Sequence, residues 1–124
     1  MSPEQQQFVA SIHPRFDFQQ DIHPAYAAAN FECGATLLNH ADSPASALPY
    51  FERALDLKAD FAEAAVNAGL ALKAMDRVPE AIAMLQQGVT LNPEMAAAHA
   101  NLGVILQDVG RLSEAITAYV SLVH

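Results

Sequence analysis

The sequence predicts an all-α chain, a solenoid of about three helix-turn-helix units preceded by a helical extension. Three observations carry that expectation. The first is an echo at 34 residues: 62–95 and 96–124 coincide at Ala62/Ala96, Asn67/Asn101, Gly69/Gly103, Leu72/Leu106, Arg77/Arg111, Glu80/Glu114, Ala81/Ala115 and Val89/Val123. A fixed period of this length means one supersecondary unit stacked on copies of itself. The second is composition: 52% of residues are hydrophobic and Ala leads them, the best helix former and a residue that lets helix axes approach. The third is punctuation, because Asp76-Arg77 and Gly110-Arg111 occupy equivalent tight bends.

Seven helices follow in order. A short first helix spans about 2–13, with Ser2 as cap, Pro3 at the first helical position, and Phe8 and Ile12 on one face. Pro14 ends it, since the residue before proline disfavours the helical conformation. Residues 13–24 read as a linker, bounded by the triplets Ile12–Pro14 and Ile22–Pro24. From residue 25 the pattern becomes helix, short turn, helix, with helices near 25–41, 44–57, 61–75, 78–91, 95–109 and 112–123. Pro44 and Pro79 sit in first turns, where a missing amide donor costs nothing. Gly110 suits a left-handed C-cap, and Asn92-Pro93 closes one unit before the next. The domain organisation expected is an extension over 1–24 and a repeat domain over 25–124, with units at about 28–61, 62–95 and 96–124.

Composition narrows the function classes. A net charge of −8 with only six Lys and Arg argues against nucleic acid or anionic membranes as partners. Charged residues make up only 16%, which points to apolar surface that something covers. Cys33 is the lone cysteine, so no intrachain disulfide forms. The first residues lack a basic and an apolar signal region, and no apolar run approaches a membrane span, so a cytoplasmic location is expected. No Ser-His-Asp logic, Gly-rich phosphate loop or paired acids can be assembled, so no enzyme activity and no cofactor are expected. Histidines 13, 23, 40, 99 and 124 lack the spacing that places two metal ligands together, and they read as caps and surface residues. Cys33 reads as a small buried hydrophobe.

The spacing Gly-x-x-Leu, then Ala-x-x-x-Leu or aromatic, then Pro resembles the tetratricopeptide repeat. Gly69, Leu72, Ala81, Leu85 and Pro93 carry the likeness in the unit 62–95; Leu102, Gly103, Leu106, Ala115 and Tyr119 carry it in the next. A weaker unit over 28–61 has Phe31, Leu38, Ala47, Phe51 and Ala54. The resemblance implies paired antiparallel helices stacked into a right-handed superhelix. Three departures stand out. Ala65 and His99 replace the usual Trp, Ala59 stands where Pro is usual, and Gly34 falls one place early, with Ala35 at family position eight. A slipped register or a one-residue loop insertion accounts for the last.

The resemblance also implies a concave groove lined by the first helix of each unit. Its positions map to Glu63, Val66, Asn67, Leu70, Lys73 and Ala74, and then to Ala97, Ala100, Asn101, Val104, Gln107 and Asp108. The first unit offers Ala29, Glu32, Cys33, Thr36, Asn39 and His40. Asn67 and Asn101 stand out, because a carboxamide donates to and accepts from a peptide backbone at once. Such a ladder occurs in the repeats of the protein O-linked N-acetylglucosamine transferases, to which residues 99–119 are similar. The alternative is that each Asn merely bonds a neighbouring helix. Only Lys73 is basic among the mapped positions, against Glu63 and Asp108, so a clamp for a terminal carboxylate is not expected.

Two function classes follow: a scaffold whose groove binds a polypeptide partner, or the N-terminal substrate-positioning module of a larger enzyme such as a glycosyltransferase. The last unit stops before its closing Pro and has no polar capping helix, as expected of a fragment or of an edge completed by another chain. Its final helix carries Ile116, Tyr119, Val120 and Val123, which predicts self-association, most simply a two-fold homodimer. A rival route docks the N-terminal arm, with Phe8, Ile12, Phe16 and Phe18, onto a neighbour.

Overall fold

The computed structural model describes residues 23–123, which form six helices; no strand occurs among them. They are α1 (His23–Asn39), α2 (Pro44–Leu57), α3 (Ala62–Ala74), α4 (Val78–Leu91), α5 (Ala96–Asp108) and α6 (Leu112–Val120). The helix expected over 2–13 lies outside the described residues. Helices pair as α1–α2, α3–α4 and α5–α6, and each pair packs on the next through α2–α3 and α4–α5. The first helices of successive hairpins also touch, so α1, α3 and α5 make one layer and α2, α4 and α6 the other.

Sequence explains where the helices stop. Pro44 and Pro79 stand in the first turns of α2 and α4. Each hairpin turn passes through a left-handed residue: Asp42 (φ 48°), Asp76 (φ 61°) and Gly110 (φ 83°). The next backbone amide then reaches back to a leucine carbonyl: Ser43 to Leu37 (3.0 Å), Arg77 to Leu72 (2.9 Å) and Arg111 to Leu106 (2.9 Å). These bonds satisfy carbonyls that the helix end leaves open.

The same bonds settle the register of the first unit. Leu37, not Leu38, is the counterpart of Leu72 and Leu106, and the turn before α2 is one residue longer than the other two. A methyl group built on Gly34 would lie 2.7 Å from Cε1 of Phe51, just as one on Gly69 would lie 2.9 Å from Cγ of Leu85. Gly34 therefore holds the close helix crossing, and the loop insertion is the correct account. The mapped groove of this unit moves by one residue as a result, which puts Glu32 in line with Asn67 and Asn101 in place of Cys33.

One apolar core runs from Ala47 through Leu72, Leu85 and Ile105 to Ala115. Phe51, Leu85 and Ile105 are its largest fully buried side chains, one from each hairpin. Phe31 stacks on Phe61 at 5.1 Å and on Phe51 at 6.0 Å, which ties the first hairpin to the start of the second. No hairpin could bury its apolar face alone; each is completed by its neighbour.

Candidate polypeptide-binding groove and terminal face

Asn67 of α3 and Asn101 of α5 occupy equivalent places on adjacent helices of one layer, and both are half-buried. Neither carboxamide hydrogen-bonds another described residue, and no buried side-chain polar atom among the described residues lacks a partner. Both amides are therefore open to solvent or a ligand. Other amides behave differently: Asn30 Nδ2 donates to the Tyr26 carbonyl (2.8 Å), and Gln107 Oε1 accepts from the Tyr119 hydroxyl (3.0 Å).

Three residues further along each helix, Leu70 is half-buried and Val104 exposed. Each of these two units thus presents one free amide beside one aliphatic side chain. Glu63 and Asp108 are exposed and Lys73 is half-buried. Val66, although mapped to the groove, is buried against Gly88 and leaves little for a ligand to touch.

Two expectations for single residues are corrected. Cys33 is exposed, because the face of α1 on which it sits carries no upstream helix among the described residues. His99 is not a surface residue but buried; its Nε2 donates to the Pro93 carbonyl (2.6 Å) and ties α5 to the loop before it. Among the described residues no group of three His, Cys, Asp or Glu is placed to hold a metal ion.

Between hairpins lie two equivalent clefts of about 280 Å³ each. The first is lined by Leu48 and Glu52 of α2, Ala68 and Leu72 of α3, and Glu80 and Met84 of α4. The second is lined by the counterparts of five of these, Gln86, Leu102, Leu106, Glu114 and Ala118, together with Val89, His99 and Ser121. Arg77 Nε donates to Glu80 Oε1 (3.0 Å) beside the first cleft, and Arg111 pairs with Glu114 beside the second. The hydrogen bond from Arg77 holds the Glu80 carboxyl below the ordinary glutamate value, and the same contact pushes the Arg77 guanidinium up.

The last helix divides into two faces. Ala115 is buried and the Tyr119 ring folds back over Gly103, so Tyr119 belongs to the hairpin interior and not to the outer surface. Ile116, Val120 and Val123 are exposed, together with Leu112, which sequence reasoning missed although it lies four residues before Ile116. The contrast with earlier units is large. Leu48 and Ile82, the counterparts of Ile116, are each 7% exposed, whereas Ile116 is 61% exposed.

Comparisons with known proteins agree with this architecture. The tetratricopeptide repeat model matches residues 62–95. No curated protein matches the chain. Among solved structures it is similar to the second tetratricopeptide domain of Spaghetti (RPAP3) bound to the HSP90 peptide SRMEEVD, at 18% identity and a TM-score of 0.79, over 87% of this chain and 97% of that one. It is also similar to MamA of Desulfovibrio magneticus RS-1, residues 41 to the end, at 22% identity and a TM-score of 0.73, over 94% of this chain. The chain spans 60% of the length of that MamA structure. No described helix is long and apolar enough to cross a membrane. The repeat model thus accounts for one hairpin, 62–95, and the solved structures share the helical solenoid fold of the chain.

Proposed function

We propose that the chain is a protein-interaction scaffold that holds an extended polypeptide along α3 and α5, and that it also self-associates through the uncovered face of α6. The observation that carries the first part is the pair of equivalent amides, Asn67 and Asn101, half-buried and without a hydrogen-bond partner among the described residues. A carboxamide offers a donor and an acceptor together, which suits a peptide group of any sequence. Leu70 and Val104 beside them supply apolar contact for alternate side chains.

Charge narrows the partner. The Spaghetti domain is bound to an acidic peptide, SRMEEVD. In this groove Lys73 stands against Glu63, Asp108 and the realigned Glu32, within a chain of net charge −8. A neutral or basic extended segment fits that field; an acidic tail is repelled.

The test is binding of extended peptides selected from a random displayed pool on the unaltered chain. Replacing both Asn67 and Asn101 by Ala is expected to weaken such peptides by about 1–3 kcal/mol in total, because peptide groups lose their partners. Methylating the peptide's backbone amides should weaken binding to the unaltered chain and matter little to the double variant. Loss of thermal stability with binding intact would return both residues to a purely structural role.

A further inference from the structure

The two clefts between hairpins are one interface made twice. In each, the second helix of a hairpin lays an aliphatic side chain on the first helix of the next. Leu48 lines the first cleft with Ala68 and Leu72, and Ile82 holds the corresponding place in α4, on the side that meets α5. The described chain also carries each half of this interface once more, unpaired. On α6, Ile116 and Val120 are the counterparts of Leu48 and Glu52, and both are exposed. On α1 and α2, Cys33, Leu37 and Tyr50 are the counterparts of Ala68, Leu72 and Met84, and they line an open cleft of about 410 Å³.

We propose, building on the self-association read above, that copies of the chain join head to tail, the Leu112–Ile116–Val120 stripe of one copy entering the Cys33–Leu37–Tyr50 cleft of the next. The joint repeats a contact that the chain already makes twice within itself.

Charge supports the pairing. Inside the chain Glu52 shares its cleft with Arg77 and Glu80. At the two outer edges the counterparts are Val120, Ser43 and Ser46, all uncharged. An apolar stripe therefore meets an edge that lacks the three charges of the inner cleft; Arg53, which shares an adjacent pocket with Ser46 and Tyr50, is solvent-exposed and can stay in water. Glu32, the charged residue that lines the open cleft, is itself solvent-exposed. A two-fold pairing of α6 on α6 would set Ile116 against Ile116 and leave the α1 cleft unused. The head-to-tail contact covers both edges. It joins two different surfaces, so it propagates into chains or rings and does not stop at two copies.

Cys33, the only cysteine, makes the proposal directly testable. In a Val120→Cys variant, mild oxidation at high micromolar concentration should link residue 33 of one copy to residue 120 of another. Mass spectrometry should identify that pair, and a non-reducing gel should show a ladder beyond dimer. Sedimentation of the unaltered chain should show mass that rises with concentration. Ile116→Glu should weaken association about tenfold or more while its thermal melt stays that of the unaltered chain, because Ile116 is exposed within one copy. A closed dimer with 120–120 links overturns the head-to-tail geometry but leaves self-association standing. A monomer at every concentration overturns both.

Discussion

The ring of Tyr119 lies over the bare Cα of Gly103, so close that a methyl group built there would be 2.6 Å from Cε1. This contact sets the spacing between α5 and α6, and the same device recurs as Gly69 beneath Leu85 and Gly34 beneath Phe51. The large residue differs in each hairpin, yet the small one is always glycine. The crossing distance is what repeats.

Those three glycines should not respond alike to alanine. Each substitution gains about 1 kcal/mol of helix propensity and forces the facing side chain to move. Phe51 is fully buried and has nowhere to go, so Gly34→Ala is expected to destabilise by about 1–3 kcal/mol, as overpacking does. Tyr119 is half-exposed and can tilt at the cost of its bond to Gln107, so Gly103→Ala should be close to neutral. Urea unfolding midpoints compare the two; equal losses would show that ring burial is not the deciding factor.

Ile82 and Ile116 hold the same place in successive units, one covered and the other bare. Ile82→Ala should cost about 2–5 kcal/mol, the range for emptying a packed site. Ile116→Ala, measured in dilute solution, should fall within about 0.5 kcal/mol of the unaltered chain, as surface changes do. Chemical denaturation of both variants tests the difference.

Asp76 adopts a left-handed conformation (φ 61°) at the turn where the next unit uses Gly110 (φ 83°). An L-residue is strained there, by about 1–2 kcal/mol before any local hydrogen bond of Asp is counted. Asp76→Gly is expected to raise stability by about 0.5 kcal/mol, the relief being partly cancelled by the added freedom of glycine in the unfolded chain. Gly110→Ala should lower it. A thermal melt that moves both variants the same way contradicts this account.

The Arg77–Glu80 contact gives a pH signature whose sign can be stated. The folded Glu80 carboxyl titrates below its unfolded value because Arg77 hydrogen-bonds the ionised form. Its contribution is therefore present above the ordinary glutamate range and is lost as pH falls through the lowered value. Both side chains are exposed, so solvent screens the pair; the effect on stability is small and belongs to carboxyl-carbon NMR, not to a melt. Arg77→Gln should bring the Glu80 midpoint back up.

Much of this architecture is legible in the amino-acid sequence. The 34-residue echo, Pro44, Pro79 and the Asp76 and Gly110 bends placed five of the six described helices within about two residues at each end, because caps and turns act over a few residues of local sequence. Asn67 and Asn101 could be picked out because the period puts them on one face. Their freedom from internal bonds could not, since it depends on what neighbouring helices offer.

The order of helices, the small residues at their crossings and the absence of charge on the outer face of α6 belong to the sequence alone, because each is a property of spacing and side-chain type. Only the tertiary structure decided that the first unit carries its extra residue in the turn before α2, since Gly34 and Ala35 are equally small and the choice rests on which one meets Phe51. Packing likewise turned Tyr119 inward, buried His99 against the Pro93 carbonyl and left Cys33 exposed. Burial is a property of neighbours, and the helix that covers Leu48 and Ile82 has no described counterpart over Ile116.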